Sequence, residues 1–151
     1  MKRAVITGLG AVTPLGNSVN EFWENLILGK SGAAAISRFD TTSHKTKFAC
    51  EVKDFNPLNY VEKPEARKMD LFTLYSIAAA DECIKDSGLD LGTCDLNRIG
   101  VIMATGIGGI NTLEDELQYF FENQKQPRFN PFFITKMISN IAAGQITIRY
   151  G

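Results

Sequence analysis

Histidine is almost missing from this chain. His44 is the only one among 151 residues, beside three cysteines, one tryptophan and five prolines. A single histidine with no clustered cysteines or carboxylates argues against a metal centre. Cys50, Cys83 and Cys94 are odd in number and lack C-x-x-C spacing, which argues against a zinc site or disulfide framework and favours a reducing cytoplasm. Excess charge is missing too. Sixteen Lys and Arg face seventeen Asp and Glu, a net charge of −1. That balance predicts no nucleic-acid partner and no membrane surface, although it leaves room for a small basic patch. No apolar run reaches the roughly 18 residues that cross a bilayer. The charged start Met1-Lys2-Arg3 leads into an apolar stretch broken by Gly8 and Gly10, too short for a signal peptide. What remains is 44% hydrophobic and 22% charged, the composition of a soluble globular domain long enough to bury a core.

The order of elements follows from local chemistry. Ala4-Val5-Ile6-Thr7 is a β-branched run that reads as a buried strand entering a glycine-rich turn, Gly8 to Gly16. Ser18 and Glu21 are spaced as a capping box. Behind them Val19, Phe22, Trp23, Leu26 and Ile27 form one apolar helical stripe, with Gly29 placed to stop it. Phe48 to Val52 suits a strand, and Asp54 to Pro57 a turn. Pro64 fits a helix's first turn, so a long helix is expected from about Glu65 to Ser87, closed by Gly88. Arg98 to Thr105 reads as a second buried strand. It ends in Gly106-Ile107-Gly108-Gly109, followed by a helix capped by Asn111 or Thr112, with Leu113, Leu117 and Phe121 inward. Gln124 to Asn130 is a polar loop, and a small-residue helix is expected around Asn140 to Ile146. Alternating strands and helices indicate an α/β layered fold, with no internal domain boundary. The segment Ile138 to Tyr150 is apolar on most faces, which suits a helix covered on several sides within a larger body.

Each chemical feature has a plain and a sharp reading. Gly8-Leu9-Gly10 lacks the third glycine of a dinucleotide fingerprint, and Pro14 sits where that fold begins its helix. A structural tight turn is the better reading. His44 lies in a polar loop and reads as solvated. The three cysteines read as small hydrophobes, since none lies beside a histidine at a helix amino terminus. Thr105 to Gly109 is equally a packing device and a pocket wall. Phe132 and Phe133 suit a core, an interface or the lining of a lipid pocket. Arg67 and Lys68, with Lys63 near, begin a helix where the macrodipole mildly disfavours cations. Solvated surface charge and partner binding both fit.

Several blocks carry a further signal when taken together. These are Arg3 to Gly16, Arg67-Lys68-Met69-Asp70, Asp86-Ser87-Gly88-Leu89, Arg98-Ile99-Gly100-Val101, Gly106-Ile107-Gly108-Gly109, Asn130-Pro131-Phe132-Phe133-Ile134 and Asn140-Ile141-Ala142-Ala143-Gly144. In this order they resemble the amino-terminal portion of the elongating β-ketoacyl-acyl-carrier-protein synthases, the type II enzyme most of all. The resemblance implies a thiolase-like fold with α-β-α-β-α layers, of which this chain would be the incomplete amino-terminal part. It implies acyltransferase chemistry in fatty acid biosynthesis: a decarboxylative Claisen condensation of malonyl and acyl thioesters on acyl carrier protein, by a cytoplasmic homodimer that needs no external cofactor.

In that family a cysteine nucleophile and two histidines do the chemistry. The resemblance puts all three beyond Gly151, so no catalytic residue and no metal ligand is expected here, and the chain alone is expected to be inactive. What it does assign is an acyl pocket of Gly106, Ile107, Gly108, Phe133, Ile134 and Met137. Ile107 would be the gate, and Phe133, Ile134 and Met137 would cross the dimer interface to line the far end of the partner's pocket. Lys63, Arg67 and Lys68 would dock the acidic carrier protein. The alternative is a non-catalytic ketosynthase-like partner of the chain-length-factor type.

Overall fold

The computed structural model describes residues 3–151; Met1 and Lys2, which open the charged amino-terminal start, lie outside the described residues. Six α-helices are present among these residues: α1 Val19–Ile27, α2 Lys63–Ala66, α3 Leu71–Ser87, α4 Ile110–Glu122, α5 Phe133–Met137 and α6 Ile141–Tyr150. Two short strands, β1 Ala34–Ala35 and β2 Phe48–Ala49, pair antiparallel, with Ala34 opposite Ala49. The residues gather in two compact units. One holds the described residues up to Asn56 with Asp81–Gly88, and the other Pro57–Ala80 with Leu89–Gly151.

In the first unit the ends of α1 follow from its residues. Ser18 accepts from the Glu21 amide at 3.2 Å. Glu21 accepts from the Asn17 amide at 2.8 Å, one residue before the Ser18 amide of a standard capping box, and Glu82 accepts from the Val19 amide at 2.8 Å. At the other end Gly29 has φ +66. Its amide bonds the Leu26 carbonyl, and the Lys30 amide bonds that of Asn25, the pair of contacts that makes a Schellman stop.

The glycine-rich turn lies along the last turns of α3. Asp86 accepts from the Leu9 amide at 2.8 Å, and Glu82 from the Ala11 amide at 2.9 Å. A side chain at Gly8 would run into the Cys83 carbonyl. Protein carboxylates thus occupy these amides, and a structural turn is what the geometry supports. Elsewhere in this unit Ser37 donates to Glu51 from hydroxyl and amide, and the hydroxyl bond leads in holding that carboxyl below its usual range.

The second unit carries the most buried apolar residues: Val61, Leu74, Ile77, Ala78, Ala142 and Ile146. Val61, Met69 and Ile77 share a recess with Gln145 and Ile148 of α6. Arg149, at the end of α6, donates to the Tyr60 carbonyl at 2.7 Å.

Several expectations need correction. Ala4–Thr7 and Arg98–Thr105 form no strand; neither run has a ladder partner among the described residues. Ile6 is 83% exposed and Ile102 97%. A strand is a property of two segments, and the β-branched composition of one does not supply the other. The long helix is two: α2 ends at Ala66 and α3 begins at Leu71, because Asp70 offers a second start signal. On α4 the buried residue is Thr112, while Leu117 and Phe121 are exposed. Cys50 is exposed rather than buried.

Candidate functional site

All nine residues singled out for binding belong to the second unit. Lys63 opens α2 with Pro64 beside it, and Arg67 and Lys68 lie in the turn between α2 and α3. All three are exposed. The Lys68 ammonium stands 5.6 Å from the centre of the Phe132 ring, in cation–π range. One of the three exposed cations therefore lies over the residue immediately before α5.

The glycine turn and α5 come together through backbone. Gly109 donates to the Met137 carbonyl at 2.9 Å. Gly108 has φ +85, and a Cβ there would strike that same carbonyl. A Cβ on Gly109 would strike the Lys136 carbonyl and come within 3.0 Å of the Met137 Cα. These two glycines are required by close approach, the packing half of the two readings. Gly106 differs, since nothing lies within 4 Å of where its Cβ would be. Ile107, between them, is 68% exposed. Ile134 is exposed, while Phe133 and Met137 are half-buried. Phe133 stacks on Phe129 with centroids 5.5 Å apart, and Phe129 on Phe120 at 5.7 Å, so an aromatic file runs from the end of α4 into α5.

Asp70 is the residue that sequence reasoning missed. It is 5% exposed. Its Oδ1 accepts from the Phe72 amide at 3.3 Å, in the first turn of α3. Its Oδ2 accepts from the amide and hydroxyl of Thr112 at 3.0 and 2.5 Å, in the first turn of α4. One carboxylate thus serves two helix amino termini, where both the unpaired amides and the macrodipoles favour negative charge. Asp70 thus anchors the starts of α3 and α4 to one another. The available signal was an Asp directly before the apolar run Leu71-Phe72, masked by the earlier Pro64.

No group of three or more His, Cys, Asp or Glu suited to a metal ion exists among the described residues. His44 sits in an exposed loop with its ring 5.3 Å from that of Phe39, away from any cysteine–histidine pairing. No described helix is long and apolar enough to cross a membrane.

A single family accounts for this arrangement from end to end. The family described as "Beta-ketoacyl synthase, N-terminal domain" matches residues 1–151. The chain belongs to the β-ketoacyl synthase family. Among curated ketosynthases, it is 39% identical over 150 residues to 3-oxoacyl-[acyl-carrier-protein] synthase 2 of Synechocystis sp.. The proteins of the same name from Staphylococcus aureus (strain COL) and Vibrio cholerae are 42% and 43% identical. Each alignment covers 99% of this chain and 36% of the relative, so the chain spans little more than a third of their length. Among solved structures, the ishigamide ketosynthase/chain length factor superposes with TM-score 0.79 at 26% identity, over 97% of this chain and 36% of that one. A type II polyketide ketosynthase, in complex with its acyl-carrier protein and bound to the hexaketide, gives TM-score 0.75 at 26% identity, over 97% and 38%. The fold is that of the ketosynthase amino-terminal domain, thiolase-like as the resemblance implied.

Proposed function

We propose that this chain is part of an elongating β-ketoacyl-acyl-carrier-protein synthase, a homodimer that lengthens acyl chains by decarboxylative condensation with malonyl groups on the carrier. The observation that carries this reading is the likeness, along nearly the whole chain, to proteins named 3-oxoacyl-[acyl-carrier-protein] synthase 2. Both compact units are read as pieces of one such fold, without a domain boundary between them. The free thiols fit a reducing cytoplasm. The nucleophilic cysteine and the two histidines of the family are read as lying outside these residues, and the chain alone makes no carbon–carbon bond.

Its own contribution is then binding and shape. Lys63, Arg67 and Lys68 form an exposed cationic group for an acidic carrier protein, where complementary charge governs encounter and salt dependence. Ile107 gates the acyl pocket, with Gly106 and Gly108 flanking it. Phe133, Ile134 and Met137 line the far end of the pocket across the dimer interface.

The test uses the intact enzyme. Arg67→Glu with Lys68→Glu is expected to weaken carrier binding and to flatten its dependence on salt; an unchanged salt slope would overturn the docking assignment. Ile107→Phe is expected to shorten the acyl chains accepted, because an aromatic ring fills the pocket's inner part. Equal rates across a series of acyl lengths, matching wild type, would remove the gate. A residue other than cysteine at the family's nucleophile position would favour the non-catalytic partner.

A further inference from the structure

We infer that Asp70 is a positioning residue for acyl chain-length selection, holding the turn that carries Ile107 through Thr112 and Gly109. This rests on the proposed acyl gate and extends it to a residue that contacts no substrate. The turn Gly106–Gly109 is tied to other elements at its carboxyl end, while within it the Gly108 amide donates to the Thr105 hydroxyl at 3.2 Å. Its carboxyl end is pinned on two sides: the Gly109 amide bonds the Met137 carbonyl at 2.9 Å, and Thr112 donates twice to Asp70 Oδ2, at 3.0 and 2.5 Å. A Cβ on Gly109 would lie 3.1 Å from that same oxygen, so the carboxylate lies alongside the turn. At the other end a Cβ on Gly106 would meet nothing within 4 Å, and Ile107 is 68% exposed. The gate residue thus lies two positions before a fixed point, Gly109, which the Met137 carbonyl holds on one side and the Asp70–Thr112 bonds support on the other.

The position of Asp70 in the chain adds a second link. It follows Arg67 and Lys68 in one turn, and Lys68 lies 5.6 Å from the Phe132 ring that precedes α5. The short segment 67–70 therefore touches the starts of two helices, α4 by hydrogen bonds to Thr112 and α5 by a cation over the Phe132 ring. A buried charged hydrogen bond is strong and directional, so removing the charge or the donor loosens the α4 start while leaving Arg67 and Lys68 in place.

The experiment compares Asp70→Asn, Thr112→Val and Thr112→Ser in the intact enzyme, measuring kcat/KM over a series of short to long acyl donors and KM for the carrier protein. Asp70→Asn and Thr112→Val are expected to change the long-to-short ratio of kcat/KM by about tenfold, since a shift of roughly one methylene in a pocket has that effect. KM for the carrier should stay within about twofold, because such contacts lie outside the altered hydrogen bonds. Thr112→Ser keeps the hydroxyl and should retain the wild-type ratio. A purely structural role would lower activity equally for all donors, with the ratio unchanged; that result overturns the inference. If Asp70→Asn does not fold, the Thr112 pair decides alone. Should the wild-type enzyme extend no acyl chain, the proposed function itself fails, which the wild-type assay distinguishes from a wild-type enzyme whose ratio the variants leave unmoved.

Discussion

Helices α1 and α3 are opposites. The first has a clear apolar stripe in sequence, yet Trp23 is 59% exposed and Ile27 66%. The second is apolar nearly all round with little periodicity, and it holds Thr73 at 0%, Ile77 at 1% and Ala78 at 2%. A sharp stripe states which face a helix would bury; whether a partner arrives to cover it is decided elsewhere in the chain. A helix without a stripe makes the opposite statement. It is stable only where several neighbours enclose it, and the turns of α3 around Ile77 are so enclosed.

This contrast can be broken most forcefully at the glycines, one in each unit. Gly8→Ala and Gly108→Ala each drive a methyl into a backbone carbonyl, of Cys83 and Met137 respectively. Both should destabilise by more than about 3 kcal/mol, read from urea midpoints, because neither neighbour is a side chain able to turn away. A smaller effect at Gly8 would show that the carboxylate-held turn yields more easily than the α4–α5 junction. Next comes the direct comparison. Ile77→Ala should cost about 3 kcal/mol and Ile27→Ala within about 0.5 kcal/mol, by the same measurement. Equal costs would mean that the stripe of α1 is covered after all. The smallest effect has the opposite sign. The Thr73 hydroxyl is buried without a hydrogen-bond partner among the described residues, so Thr73→Val should stabilise by about 1 kcal/mol. A loss of stability there would reveal a donor or acceptor that the hydroxyl serves.

What could be read from sequence divides along the same line. The start and stop of α1 were legible because Ser18 and Gly29 act within a few residues of the groups they satisfy. Gly88, at φ +64, ends α3 for the same local reason. The gap between α2 and α3 was not legible, since Pro64 and Asp70 are both sound start signals and composition does not rank them. The strand expectations at Ala4–Thr7 and Arg98–Thr105 failed because pairing is non-local, while Phe48–Ala49 found its partner in Ala34–Ala35. On α4, periodicity favoured Leu113, Leu117 and Phe121, but burial fell on Thr112, which answers a carboxylate 42 residues away in the chain. The proposed site divides likewise: its glycines and cations were visible as residue types, while Asp70, which joins them, became visible only with the fold.

The runs Ala4–Thr7 and Arg98–Thr105, lacking ladder partners among the described residues, have a colloidal consequence. Backbone edges flanked by bare valine, isoleucine and methionine are templates for any strand that arrives, from another molecule as readily as from the same one. Polypeptide consisting of these residues alone should therefore self-associate as its concentration rises, and a second polypeptide that pairs with those edges should act as its solubiliser.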